Sequence, residues 1–166
     1  MTTGLPYRPS AGIMLINRDN LVWVGSRTNL KLSGSDESMY RWQMPQGGIT
    51  HNEDPAQAAL RELEEETGVR SATIIAESSD WLTYELPLSA LSSLGGKYRG
   101  QRMKWFAIRF LGEDDEVDIG ADHGGGPEFD AWRWASIDDL VGLIVPFKRP
   151  VYEAVVAQFR PLILSA

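Results

Sequence analysis

Apolar residues follow three different patterns along this chain, and each predicts a different kind of element. In Ala11–Asn17 (Ala-Gly-Ile-Met-Leu-Ile-Asn) and Leu21–Ser26 they run almost unbroken on either side of Arg18-Asp19-Asn20. Two short apolar runs around a polar turn predict a β-hairpin. In 102–111 the pattern alternates, with Phe106, Ile108 and Phe110 on one side and Trp105, Ala107 and Arg109 on the other, which predicts a long strand. Shorter extended segments are predicted at 42–44, 72–77, 81–86 and 132–135. From Asp54 to Thr67 the period becomes helical, and Ala56, Ala59, Leu60, Leu63 and Thr67 form a stripe expected to face the core. Asp54 suits the N-cap, Pro55 the first helical position, and Gln57 completes a capping-box-like pair. Gly68 suits the C-terminal cap. Ser136 and Asp139 mark a short helix. Pro150 opens a final one with Val151, Val155 and Phe159 as its stripe, expected to stop before Pro161. Residues 87–100 and 113–128 read as loops, the second acidic, Gly-rich and mobile. Many strands with few helices predict the α+β class, with a mixed sheet between helices.

The charges on the first helix change this picture. Glu62, Glu65 and Glu66 are spaced i, i+3, i+4 and so share one helical face. That face lies about a quarter turn from the apolar stripe, at the rim of the core. The three carboxylates repel one another and crowd the half of the helix where its dipole disfavours them. A hard divalent cation with oxygen ligands is the natural counter-charge. Arg61 is placed to orient a carboxylate, and Glu53 follows the Gly47-Gly48 turn. The competing explanation is a solvated acidic face on an ordinary amphipathic helix.

Composition narrows the classes. The 166 residues are expected to form one domain spanning 1–166. There is no Cys, which excludes disulfides, thiolate metal sites and a Cys nucleophile. No apolar run reaches the ~18 residues of a membrane span, and the N-terminus lacks a signal-peptide core. These features predict a soluble cytoplasmic protein. A net charge of −7 argues against a general nucleic-acid coat protein, and an acidic protein with a polyanionic substrate needs metal ions to reverse its local charge. His51 and His123 have no partner at ligand spacing and read as loop residues. Gly95-Gly96-Lys97 lacks the longer phosphate-loop pattern and reads as a turn.

Residues 47–69 match a longer pattern. Gly47, Glu53, Arg61, Glu62, Leu63, Glu65, Glu66, Gly68 and Val69 fill the fixed positions of G-x5-E-x7-R-E-U-x-E-E-x-G-U, where U is a bulky aliphatic residue. This is the Nudix box, and the chain resembles the Nudix hydrolase superfamily. The resemblance implies an αβα sandwich and a pyrophosphohydrolase using Mg2+ or Mn2+. It implies Glu62, Glu65 and Glu66 as metal ligands, with Glu53 and Arg61 bracing the loop and helix. It also implies a general base among the carboxylates, whose identity stays open.

The flanks resemble the branch containing RNA pyrophosphohydrolases and diadenosine tetraphosphate hydrolases. The matching segments are Tyr7-Arg8-Pro9, residues 42–49, Trp81 to Pro87, Gly100 to Phe106, residues 127–134 and Phe147-Lys148-Arg149. By that resemblance Glu128 adds a metal-binding carboxylate from outside the box. Arg8, Arg102 and Lys104 contact phosphates, Gly47 and Tyr84 line the substrate site, and Arg27 and Phe147 sandwich a base. Ordinary surface charge, or burial for Phe147, is the alternative at each position. The implied reaction is removal of pyrophosphate from 5′-triphosphorylated RNA ends. Hydrolysis of a dinucleoside polyphosphate is the alternative, and a non-catalytic nucleotide-binding module is the alternative of another class. A long segment at 31–41 and the lack of a basic C-terminal extension favour the dinucleotide reading.

Overall fold

The two longest strands lie side by side at the centre of the molecule, covered on both faces. A computed structural model of the chain describes residues 4–27, 40–88, 90–91, 95–120 and 127–164. Its strands are β1 (Tyr7–Ile16), β2 (Val22–Arg27), β3 (Trp42–Gln43), β4 (Gln46–Gly48), β5 (Ala72–Glu77), β6 (Leu82–Glu85), β7 (Gly100–Phe110) and β8 (Phe129–Ala135). Its helices are α1 (Pro55–Thr67), α2 (Leu140–Leu143) and α3 (Arg149–Leu164). β1 and β7 pair in parallel from Tyr7 opposite Gly100 to Ile16 opposite Arg109, while the other pairs among the described residues are antiparallel. The core of the sheet runs β3-β2-β1-β7-β5.

Burial on both faces explains the unbroken apolar run of β1. Ala11, Ile13 and Leu15 pack with Phe106 and Ile108 beneath Ala58, Ala59 and Leu63 of α1. Met14 and Ile16 pack with Trp105 and Ala107 beneath Val151, Tyr152, Val155 and Phe159 of α3. The alternation expected for β7 thus separates two apolar clusters, one under each helix. This is the expected αβα sandwich. Among the described residues no helix is long and apolar enough to cross a membrane.

Four local expectations are corrected. The predicted hairpin is a fork: β1 and β2 meet at Ile16 and Val22, beyond which residues 42–48 fill the gap. There β3 pairs with β2 and β4 with β1, so one short segment crosses from one strand to the other. In α1 the buried residues are Ala58, Ala59, Leu63 and Thr67, while Leu60 is exposed. The helix is rotated so that the ridge Ala58-Glu62-Glu66 turns inward beside β4, and Leu60 turns out. Helix α3 continues through Pro161 to Leu164. A proline there removes one late hydrogen bond, and buried Ile163 holds the last turn on the core. Residues 113–120 are pinned rather than loose. The Glu116 carboxylate accepts from the backbone N–H groups of Arg70 and Ser71 at 2.7 and 2.8 Å, and Val117 and Ile119 pack on the apolar cluster. His123 and residues 31–39 lie outside the described residues.

Candidate active site

The site forms where α1 lies against the crossing segment of the fork. Asp54 caps the helix by accepting from the N–H groups of Ala56 and Gln57, and Gly68 closes it in the left-handed conformation at φ 77°. These two caps fix which residues face β4. Gly47 sits directly under Glu62, and a Cβ there would overlap the carboxyl group. A Cβ on Gly48 would overlap the guanidinium of Arg8. The glycine pair lets helix, strand and Arg8 approach to a distance that no side chain would permit.

Arg61 organises the box. Its Nε and Nη2 donate to both oxygens of Glu53 at 2.8 and 2.9 Å. Nη1 donates to Glu62 at 2.9 Å and Glu65 at 3.1 Å, and Nη2 also reaches the Gly48 carbonyl at 2.8 Å. One planar donor thus ties three carboxylates and the Gly-Gly turn together. Glu53 also accepts from the N–H and hydroxyl of Thr50, both at 3.0 Å. The Arg61 hydrogen bonds, then those from Thr50, hold its carboxyl down to about 2.

Glu66 has a different environment. It accepts from the N–H of Gln46 at 3.1 Å. Burial, then the negative charges of Glu128 and Glu62, push its carboxyl well above the ordinary range. Burial also raises Glu62, opposed mainly by Arg61. Carboxylates that are buried and mutually repelling, with oxygen as their only donor atom, fit a hard divalent cation. Among the described residues no three acidic or His side chains converge into a closed cage. The set therefore suits an ion that keeps water and substrate oxygens in its shell, as Mg2+ does.

A wall from outside the box faces these carboxylates. Arg27 pairs with Glu128 at 3.4 Å, and its Nε is buried without a partner among the described residues. Tyr84 is only 6% exposed; its hydroxyl accepts from Gln101 at 2.6 Å and faces the Gln46 amide. Gln101 in turn accepts from Ser10. The Phe147 ring stands 5.7 Å from that of Tyr84, and Arg8 and Arg27 both act electrostatically on the Tyr84 hydroxyl. Arg8, Arg27, Tyr84, Glu128 and Phe147 are therefore gathered at one place. Arg102 stands apart, exposed and stacked over Trp81 at 4.1 Å. Lys104, half-buried on the α1 side of β7, makes no hydrogen bond or ion pair among the described residues.

Lys148 was not singled out from the sequence. It is 4% exposed, donates to Gln43 at 3.3 Å and lies 5.4 Å from the Tyr84 ring. Burial, then Arg27, lower its ammonium to about 7 against the opposing pull of Glu128 and Glu66. Periodicity marks apolar faces and gives no signal for a buried cation; the Phe-Lys-Arg run before α3 was its only trace.

A mixed sheet between helices, with glycine-seated carboxylates at a fork, defines an αβα phosphoanhydride-hydrolase architecture. The NUDIX domain model matches residues 6–155, and the chain belongs to the Nudix family. Nudix hydrolases generally use divalent metal ions. The chain is 53% identical over 161 residues to a protein of Rhizobium meliloti (strain 1021) named RNA pyrophosphohydrolase, covering 96% of each. It is 54% identical over 160 residues to one of the same name from Brucella abortus (strain 2308), covering 95% of this chain and 90% of the relative. Among solved structures it resembles a C. elegans Ap4A hydrolase binary complex, with TM-score 0.62 and 18% identity over 95% of this chain and 99% of that one. It also resembles the E. coli dihydroneopterin triphosphate pyrophosphohydrolase, with TM-score 0.64 and 20% identity over 92% and 99%. At these identities the two structures support the fold alone.

Proposed function

We propose that this chain is an RNA pyrophosphohydrolase that removes pyrophosphate from 5′-triphosphorylated RNA ends with Mg2+ or Mn2+. The observation that carries the reading is the meeting of two kinds of surface. Buried carboxylates in need of a cation lie beside a wall of guanidinium and aromatic side chains suited to phosphates and a base. The names of the bacterial relatives support the same substrate.

In this reading Glu62, Glu66 and Glu128 hold the ion from two sides, and Glu65 completes the set from the exposed edge. When bound there, the ion supplies Lewis acidity to phosphate oxygens and lowers the pKa of a water. Arg61 keeps Glu62 and Glu65 ionised and in register, and Glu53 holds Arg61 to the Gly-Gly turn. Arg8 and Arg27 donate to phosphate oxygens, for which a planar fork of N–H groups is suited. Phe147 offers a face to the first base, a contact worth about 1–3 kcal/mol. Arg102 and Lys104 contribute positive charge farther along β7. Hydrolysis joins the water oxygen to phosphorus, breaks one anhydride P–O bond and leaves a 5′-monophosphate.

The test is kcat/KM on a triphosphorylated oligoribonucleotide against diadenosine tetraphosphate. RNA is expected to be the better substrate, and a hundredfold preference for the dinucleotide would reverse the assignment. Unchanged hydrolysis in Glu65→Gln and Glu66→Gln would leave only a nucleotide-binding role.

A further inference from the structure

The crossing segment between β3 and β4 carries an arrangement that the reaction has so far not used. At residues 44 and 45 the chain has left β2 and has not yet joined β1, so neither strand supplies it with a ladder partner. Pro45 has no N–H, and its carbonyl accepts from Ile13 at 2.9 Å. Two backbone donors remain in the crossing. The N–H of Gln46 goes to Glu66 at 3.1 Å. The N–H of Met44 goes to the hydroxyl of Tyr152, on α3, at 2.9 Å.

Tyr152 is held firmly for this purpose. It is 1% exposed, and its ring meets Trp105 edge-on at 5.6 Å and 81°. Trp105 in turn lies across Gly12, where any Cβ would overlap the indole. Gly12 is the residue of β1 that pairs with Gln46. The hydroxyl therefore stands on a packed stack that begins at the strand position opposite Gln46. Its acceptor is two residues from the donor that meets Glu66, with a rigid proline between them.

We propose that Tyr152 is a positioning residue for the hydrolysis. By holding Met44 it sets the height of the crossing segment, so that the Gln46 N–H and the Gly47 seat meet Glu66 and Glu62. The core helix on one face of the sheet thereby fixes carboxylates carried by the helix on the other. This rests on reading Glu62 and Glu66 as cation-binding groups. Groups that orient ligands from behind commonly change metal affinity or activity by about 10–100-fold when removed.

Tyr152→Phe keeps the ring and its contact with Trp105 and removes only the acceptor. In the full chain, titration calorimetry with Mn2+ alone is expected to show affinity about tenfold weaker than wild type. On triphosphorylated RNA, kcat is expected to fall about tenfold with KM within about twofold. Val155→Ala, one turn along on the same helix, serves as the control for core softening. It is expected to lower Tm while leaving Mn2+ affinity and kcat near wild type. Equal Mn2+ affinity in wild type and Tyr152→Phe overturns the proposal. An equal loss in Val155→Ala also overturns it, because softening of the core would then suffice. A wild-type chain that takes up no Mn2+ overturns the functional reading itself, and this one with it.

Discussion

The box and the wall that faces it are built on opposite principles. Within the box, Arg61 binds Glu53, Glu62, Glu65 and the Gly48 carbonyl, so its members neutralise one another over a short stretch of chain. The wall draws Arg8, Arg27, Tyr84, Glu128, Phe147 and Lys148 from six separate places, and its charges are less completely paired. Glu66 stands at the junction, beyond the reach of Arg61 and repelled by both Glu62 and Glu128. The self-neutralising part makes a fixed scaffold, and the unbalanced part is where a cation and a polyanion gain most by binding.

The largest effect is expected at that junction. Glu66→Gln keeps the volume and the Gln46 contact but removes a charge that burial opposes. We predict that kcat falls about 10³-fold, the several kcal/mol that metal catalysis supplies. Tm should rise, by about 2–4 °C per kcal/mol of relieved repulsion. Loss of activity with a lower Tm would show that Glu66 stabilises the fold, and would break the contrast drawn here.

Next in size is the seat of the box. In Gly47→Ala the new methyl group would overlap the Glu62 carboxyl, so helix or carboxylate must shift. Misplacement of about 1 Å can cost about 10²-fold in rate, and kcat is predicted to fall by that factor with KM little changed. Steady-state kinetics alongside Mn2+ titration would check this, and wild-type kcat would mean that Glu62 has room to spare.

The wall gives a smaller effect of another kind. Phe147→Ala is predicted to raise KM for triphosphorylated RNA about 10–100-fold, the value of one stacked base, with kcat nearly unchanged. A Tm loss without a KM change would make Phe147 core packing against Tyr84 alone.

The same contrast explains what could be read in advance. Spacing alone placed Glu62, Glu65 and Glu66 on one face, and the caps Asp54 and Gly68 were visible as residue types. Leu60 was misassigned because stripe counting does not set a helix's rotation, which here follows the inward turn of Glu62 and Glu66. The fork replaced the hairpin because pairing of 42–48 with both strands is a long-range choice with no local signal. Arg8, Arg27, Glu128 and Phe147 came only through family resemblance, since nothing in their neighbourhoods says that they meet. Lys148 and Tyr152 stayed hidden because their polar atoms act inside an apolar cluster.

The smallest effect tests the scaffold itself. Glu53 is bound by Arg61 and Thr50, and its folded carboxyl titrates at about 2 against an ordinary 4.5. A depressed folded pKa contributes stability above the unfolded value, and that contribution is lost as pH falls from about 4.5 through about 2. Partial exposure of Arg61 screens the interaction and keeps the contribution modest. Over this window the wild type is predicted to lose stability more steeply than Glu53→Gln, in which the titrating group is gone. Urea unfolding at pH 6, 4 and 3 measures the difference. Parallel curves for the two proteins would mean that Arg61 is held as well without Glu53, and that the box is less self-neutralising than its hydrogen bonds imply.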